Sequence, residues 1–266
     1  MLCIYHGNCD DGFGAAYAFW KKFGSQIDFF AGSFVKDPPD VIGQDVVIVD
    51  FSYKRPVIER MAEEANSLII LDHHKTAYED LGDLPYATFD MGRSGAMMAW
   101  DHCFPSKEAP LLLRHIQDND LHWHRMKHTR QVIAGLRAYP QSFRVWDSLD
   151  VQRLRKEGET IARFLQQKVK QILRHRFTQN IGGYDVQVCN APEFLGSEIA
   201  NALSDKNIFG AAFWIGEHGR SYSLRSRNNG IDVSEIAKLY GGGGHRHAAG
   251  FRVANEDELQ LDIKKP

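Results

Sequence analysis

The segment that most constrains this chain is an apolar run that ends abruptly in polar side chains. Residues 68–71 are Leu-Ile-Ile-Leu, and Asp72, His73 and His74 follow them directly. Such a run is typical of a strand buried on both faces of a parallel sheet, although a buried helical segment would give the same run. The run therefore predicts a strand that ends in residue types able to bind a metal.

Two other apolar runs in the N-terminal half end in the same way. Residues 2–5 are followed by His6, and residues 46–49 are followed by Asp50. Because the C-terminal ends of strands line the ligand crevice of an open α/β sheet, we expect these polar side chains to meet. Each of them alone could simply cap a helix or complete a turn. Together, the three strand ends predict a metal site.

Composition limits the class of protein. The chain has 266 residues, of which 43% are hydrophobic, so it is long enough to build two domains with substantial cores. A formal net charge of −2 argues against a surface that binds long nucleic acid through many phosphates. No membrane-spanning run or secretory signal is recognisable, which predicts a cytoplasmic protein without a membrane partner. The scattered cysteines argue against disulfides and a structural zinc site, and favour buried packing roles: Cys3, Cys9, Cys103 and Cys189.

Two further acidic segments could supply ligands. Asp10 and Asp11 lie in the loop between the first strand and a following helix, where either could instead cap that helix. Asp118 and Asp120 end a later helical segment in an acidic turn. These aspartates are therefore candidates for the carboxylates that the metal site still lacks.

The element pattern predicts an α/β protein in two parts. Residues 1–150 alternate strands and helices as in a parallel sheet with right-handed crossovers, and form the metal-binding domain. Apolar residues at helical spacing predict one long amphipathic helix over residues 151–177, within a connecting segment of residues 151–180. Residues 181–266 then form a smaller mixed-sheet α/β domain.

A glycine-rich segment in this second domain points to an anionic ligand. Residues 241–244 are four consecutive glycines, and His245 follows. Gly241 is explained by an ordinary helix C-cap, but four glycines exceed what a cap needs. Backbone N–H groups of consecutive glycines can approach an anion closely, and His245 and Arg225 could add charged donors. We therefore expect Arg225, Gly242, Gly243, Gly244 and His245 to bind substrate phosphate.

These motifs together resemble a known family. The Asp-His-His of residues 72–74 and the Gly-Gly-Gly-His-Arg-His-Ala-Ala-Gly of residues 242–250 resemble the DHH phosphoesterase superfamily with its DHH-associated C-terminal (GGGHxxAAG) domain. The resemblance covers essentially the whole chain. Segments 6–16, 94–100 and 118–121 are most similar to the nanoRNase branch, which hydrolyses short oligonucleotides including the linear dinucleotide pGpG.

The resemblance implies a centre with two manganese ions, with magnesium as a second possibility. The implied ligands are His6, Asp10 or Asp11, Asp50, His73, and Asp118 or Asp120. His6 and the first-motif aspartate would bind one ion, Asp50 would bridge both, and His73 would bind the second ion with the later aspartate. Asp72 would orient ligands, and His74 would reach the scissile phosphate.

The first motif departs from the family pattern. Members usually place two aspartates two residues apart after the histidine, whereas this chain has Asn8, Asp10 and Asp11 in that stretch. The Asp-Gly-x-Gly sequence of residues 11–14 favours Asp11 as the ligand. The resemblance leaves open which aspartate binds.

The expected activity is hydrolysis of very short RNA, including pGpG, to mononucleotides. Two divalent ions roughly 3.5–4 Å apart can activate water for in-line attack at phosphorus, and carboxylate-rich ligation suits manganese or magnesium. The alternatives are a phosphatase of 3'-phosphoadenosine 5'-phosphate, a cyclic-dinucleotide phosphodiesterase, or a nucleotide-binding regulator whose first motif has decayed at Asn8. The expected partners are short RNA or dinucleotides, and the expected assembly is a monomer or homodimer.

Overall fold

The computed structural model describes residues 1–33, 36–217, 219–227 and 230–254, together with the backbone of residues 263–264. The chain divides into two compact units, residues 1–163 and residues 164–266. The N-terminal unit carries the parallel sheet that the sequence predicts, and the C-terminal unit carries a mixed sheet. The α/β fold expected from the sequence is therefore confirmed.

Five parallel strands form the sheet of the N-terminal unit, in the order β2-β1-β3-β4-β5. The strands are β1 (Leu2–His6), β2 (Asp28–Gly32), β3 (Asp45–Val49), β4 (Ser67–Asp72) and β5 (Ala87–Phe89). The helices are α1 (Asp10–Phe23), α2 (Arg55–Glu64), α3 (Lys75–Leu81), α4 (Gly95–Cys103), α5 (Leu111–Asp120), α6 (Thr129–Leu136) and α7 (Phe143–Asp147). Strands β1, β3 and β4 are neighbours, so their C-terminal ends lie side by side.

Both faces of the central strands are buried, as their apolar runs predict. Alternate residues belong to two hydrophobic clusters, with Cys3 and Val47 in one and Ile4 and Ile48 in the other. The exception is Ile69, whose side chain is 37% exposed. Burial on two faces explains why these strands are apolar without alternation, and it leaves their C-terminal ends as the place for polar side chains.

A long helix, α8 (Val151–Ile172), begins in the first unit and ends in the second. It ends at Ile172 rather than at Phe177 as predicted, because a 3-10 turn over Leu173–His175 follows and Phe177 packs against the core of the C-terminal unit. Among the described residues, no helix is long and apolar enough to cross a lipid bilayer.

The C-terminal unit contains a sheet ordered β10-β11-β9-β8-β7-β6-β12. Among its described strand pairs, β7–β8 is parallel and the others are antiparallel. Its strands are β6 (Phe177–Ile181), β7 (Tyr184–Asn190), β8 (Gly210–Gly216), β9 (Gly219–Arg225), β10 (Gly243–His245), β11 (Ala248–Val253) and β12 (Ile263–Lys264). The helices are α9 (Gly196–Leu203) and α10 (Val233–Lys238). Six of the described strands were not predicted from the sequence: β2 and β5 in the N-terminal unit, and β6, β10, β11 and β12 in the C-terminal unit.

Candidate metal centre

The ends of β1, β3 and β4 bring three of the predicted ligands together. His6 ends β1, Asp50 follows β3 directly, and His73 follows β4. Oδ1 of Asp50 lies 3.1 Å from Nε2 of His73, and Oδ2 of Asp50 lies 3.4 Å from Nδ1 of His6. The Asp50 carboxylate therefore lies between two imidazoles, with one oxygen facing each.

Backbone contacts fix the positions of these side chains. Asp50 adopts the left-handed conformation, with φ of 64°, which turns the chain sharply at the end of β3. A Cβ atom at Gly95 would lie 2.6 Å from Cβ of Asp50, and one at Gly12 would lie 2.3 Å from the backbone oxygen of His6. Only glycine fits at residues 12 and 95 without displacing a predicted ligand.

Asp10 and Asp11 have different environments at the start of α1. The Asp11 side chain is buried, and it accepts hydrogen bonds from the backbone N–H groups of Gly95 (2.6 Å) and Ala96 (3.1 Å) at the start of α4. Its Oδ2 also lies 3.7 Å from Nε2 of His73. Asp10 instead pairs with Arg137, with 2.7 Å between Oδ2 and Nε. The geometry favours Asp11 as the ligand of this pair.

Asp118 and Asp120 also have different environments. The buried Asp118 carboxylate accepts hydrogen bonds from the backbone N–H groups of Arg125 and Met126 and from the hydroxyl of Thr129, at 2.8, 3.2 and 2.5 Å. Oδ2 of Asp120 lies 3.7 Å from Nε2 of His73. Asp118 therefore holds the chain that follows α5, and the geometry favours Asp120 as the ligand.

The donor atoms form two groups that share Asp50. One contains His6, Cys9 and Asp50, and the other contains Asp11, Asp50 and His73, with the ligand atoms of each group within 4.8 Å of one another. The resemblance implies that the first-motif aspartate joins His6, whereas the structure places Asp11 with His73. Cys9 was missed by the sequence analysis, although it stands two residues before Asp11.

Asp72 and His74 lie beside these groups. The buried Asp72 carboxylate accepts hydrogen bonds from the backbone N–H of His73 (2.7 Å) and of His74 (3.2 Å), and from the hydroxyl of Ser52 (2.8 Å). Its Oδ1 lies 2.8 Å from Nδ1 of His74. These contacts orient the turn after β4 and the His74 ring, as expected for a positioning carboxylate.

The charges of the centre are strongly coupled. Burial, with Asp50 and Asp120 close by, raises the pKa of Asp11 well above its usual range. Although burial opposes it, the adjacent imidazoles of His6 and His73 hold the pKa of Asp50 well below its usual range. For His73, burial alone would lower the pKa. The nearby carboxylates of Asp50, Asp120 and Asp11 outweigh burial and raise the pKa of His73 to about 10. A divalent cation bound here would offset the negative charge of these carboxylates.

The arrangement fits divalent metal ions. Among the described residues, Oδ2 of Asp50 and Oδ2 of Asp120 are buried atoms without a hydrogen-bond donor. Buried carboxylate oxygens are costly to leave unsatisfied unless they contact a cation. Oxygen and imidazole donors in this mixture are those that divalent metals accept in proteins. The acidic and histidine side chains at the strand ends are therefore able to hold metal.

In the C-terminal unit, close packing explains part of the glycine-rich segment. Gly241 has φ of 75° and follows α10, as expected for a C-cap. A Cβ at Gly242 would lie 2.1 Å from the backbone oxygen of Gly250, and one at Gly244 would lie 2.6 Å from that of Ala248. These glycines permit the tight pairing of β10 with β11.

Arg225 ends β9 and His245 ends β10, two strands that both pair with β11. The Arg225 guanidinium donates hydrogen bonds to the hydroxyls of Ser197 (2.6 Å) and Ser223 (3.1 Å) and to the backbone oxygen of Leu224 (2.8 Å). The side chain is therefore held in one orientation while partly exposed. His245 is the last residue of β10 and is also partly exposed.

Comparison with known proteins locates the C-terminal module. Residues 195–265 match the family model described as the DHHA1 domain. This chain carries a DHHA1 domain. The match covers the glycine-rich segment and confirms the resemblance, inferred from two separate motifs, to DHH phosphoesterases with this domain.

Two curated relatives match this DHHA1-containing chain. Protein R106 of Acanthamoeba polyphaga mimivirus is 32% identical over 281 residues, which cover 94% of this chain and 66% of that protein. Oligoribonuclease NrnB of Bacillus subtilis (strain 168) is 31% identical over 127 residues, which cover 47% of this chain and 30% of that protein. The chain thus spans less than two thirds of the length of either relative.

A solved structure supports the fold of the DHHA1-containing chain. The exopolyphosphatase-related protein from Bacteroides fragilis aligns with a TM-score of 0.55 at 13% sequence identity, and the alignment covers 95% of this chain and 86% of that one. At this level of identity the likeness shows a shared fold.

Proposed function

We propose that this protein is a metal-dependent phosphodiesterase that hydrolyses very short RNA, including linear pGpG, to mononucleotides. The observation that carries the proposal is the pair of donor groups that share the Asp50 carboxylate. One carboxylate between two imidazoles is the arrangement expected of a bridging ligand in a two-metal site. When bound, two divalent ions would activate water and stabilise negative charge on the phosphate.

The side chains around the bridge have distinct proposed roles. His6, Asp11, Asp50, His73 and Asp120 would bind the ions. The start of α4 holds Asp11 in place. His74 would contact the scissile phosphate, because the hydrogen bond to Asp72 fixes the ring beside the centre. Manganese is the proposed metal at the position of Asp11, Asp50 and His73, where carboxylates outnumber imidazoles.

A short substrate is proposed from the net charge of the chain and from its similarity to an oligoribonuclease. Long RNA would need a basic path for many phosphates, and a chain with formal net charge −2 is poorly suited to one. The name of the relative NrnB, an oligoribonuclease, agrees with a short RNA substrate. Within the DHHA1 domain, the exposed part of Arg225 is proposed to bind a substrate phosphate, together with Gly242, Gly243, Gly244 and His245.

The proposal is tested with four substrates in the presence of manganese. These are 5'-phosphorylated pGpG, pApA, a six-nucleotide RNA and 3'-phosphoadenosine 5'-phosphate. We expect mononucleotides to form mainly from the two dinucleotides. His73→Ala should abolish turnover, whereas His102→Ala, an exposed histidine outside the centre, should leave it unchanged.

Other results would replace the proposal. Release of phosphate from 3'-phosphoadenosine 5'-phosphate alone would indicate a phosphomonoesterase. No turnover of any substrate, with nucleotide binding that does not need metal, would indicate a regulator. Equal activity of wild type and His73→Ala would show that the donor groups at the strand ends are not the active site.

A further inference from the structure

We propose that the Cys9 thiolate is a ligand of one metal ion, together with His6 and Asp50. The inference deepens the proposed function, since it names a donor at the same centre. A nitrogen of His6, an oxygen of Asp50 and Sγ of Cys9 lie within 4.8 Å of one another. One ion at this position would therefore be held by nitrogen, oxygen and sulfur.

The backbone directs Cys9 to this position. Asn8 adopts the left-handed conformation, with φ of 56°, and Cys9 returns to an extended conformation just before α1. Asparagine tolerates left-handed backbone better than most residues, so the turn has a sequence basis. The Cys9 backbone oxygen accepts hydrogen bonds from the backbone N–H of Phe13 and the side chain of Gln141, both at 3.1 Å.

Cys9 differs from the other cysteines in its position. It stands at the N-cap of α1, where serine, threonine, aspartate and asparagine are the favoured residues. It forms no disulfide. Cys3, Cys103 and Cys189 are fully buried, whereas Cys9 is partly exposed beside the strand ends.

An independent observation at Asp50 points to a ligand in the same place. Oδ2 of Asp50, on a side chain that is 2% exposed, has no hydrogen-bond donor among the described residues. This oxygen faces His6, whose Nδ1 lies 3.4 Å away, and Asp50 belongs to the donor group that includes Cys9. A cation between these side chains would give the buried oxygen a closer partner than the His6 imidazole does.

A cysteine binds a metal ion as the thiolate rather than as the thiol. When the ion binds, the Sγ–H bond breaks, an Sγ–metal bond forms and the proton passes to solvent.

A thiolate changes which metals the centre prefers. Soft sulfur donors favour cobalt, zinc and ferrous iron over manganese and magnesium, which prefer oxygen. The ion at His6, Cys9 and Asp50 should therefore be a softer metal than the ion at Asp11, Asp50 and His73. The two positions would differ in chemistry although they share one carboxylate.

The test is cobalt binding to the full-length, metal-depleted protein. Cobalt bound by thiolate gives a near-ultraviolet sulfur-to-metal charge-transfer band that carboxylate and imidazole ligands do not give. We expect this band in wild type and in Cys103→Ala, a control that removes a buried cysteine from the hydrophobic core. Cys9→Ser and Cys9→Asp should both lose it.

Cys9→Asp guards against a simple folding defect. It should keep the circular dichroism spectrum and the number of bound ions of wild type, while its preference shifts from cobalt and zinc toward manganese. The proposal is overturned if wild type binds cobalt without the band, if Cys9→Ser keeps the band, or if no cobalt binds.

The cobalt spectrum and the hydrolysis assay can fail separately. A cobalt–thiolate band without cleavage of short RNA would support the Cys9 ligand and refute the proposed substrate. Cleavage of short RNA by a protein that gives no band would do the reverse.

Discussion

Alanine substitution of Asp118 should lower stability without changing metal binding, whereas alanine substitution of Asp120 should weaken metal binding without lowering stability. Asp118 accepts hydrogen bonds from Arg125, Met126 and Thr129. Each hydrogen bond to a charged group contributes about 1.5–3 kcal/mol, and contributions at one carboxylate add incompletely. We therefore expect Asp118→Ala to lower the free energy of unfolding by about 3–5 kcal/mol.

Asp120 is expected to contribute little to the stability of the metal-free protein. Its Oδ2 has no hydrogen-bond donor among the described residues and lies near other carboxylates. Removing it relieves repulsion with Asp50 but loses attraction to His73, so the net change should stay within about 1 kcal/mol. Metal binding, in contrast, should be lost from the position next to His73.

The assay compares the two variants with wild type in two measurements. Urea unfolding after chelation gives the free energy of unfolding, and elemental analysis after metal loading gives the number of ions bound per chain. We expect Asp118→Ala to bind as many ions as wild type at low temperature, and Asp120→Ala to bind fewer. Loss of an ion from a stable Asp118→Ala protein would refute the assignment, as would strong destabilisation by Asp120→Ala.

Three other perturbations give direct tests. Gly95→Ala should displace Asp50, lower the free energy of unfolding by about 1–3 kcal/mol and weaken metal binding, whereas Gly92→Ala, on an exposed turn, should do neither in calorimetry. Chelation should lower the melting temperature of wild type, since metal at 100 times its Kd adds about 2.7 kcal/mol, and should leave that of His73→Ala unchanged. Burial lowers the pKa of His115, so stability is retained above about pH 6.5 and lost as the pH falls; urea unfolding of His115→Gln should show a flatter acid limb.

The strand ends could be predicted from sequence because they depend on local signals. The apolar run of residues 68–71 favoured a buried strand, and parallel strands place their C-terminal ends together. His6, Asp50 and His73 then had to meet, and their side chains do so in the structure. The choice within each acidic pair could not be made in this way, because it depends on contacts distant in sequence.

Asp11 and Cys9 show two reasons why parts of the centre could not be predicted from the sequence. Asp11 differs from Asp10 because the start of α4, more than eighty residues later in the chain, donates to its carboxylate. Cys9 was assigned to packing because unpaired cysteines in such proteins are usually buried. The proposed role of Cys9 depends on the left-handed backbone conformation of Asn8. The conformation of one residue cannot be predicted from the spacing of apolar residues.

The close approach of Gly12 to His6 and of Gly95 to Asp50 offers a way to read related sequences. Neither glycine can bind metal, so selection acts on them only through the space they leave for a ligand. A relative with alanine at either position would have lost the room for the centre even if every ligand were retained. The two glycines could therefore separate active members from inactive ones where the ligand residues alone could not.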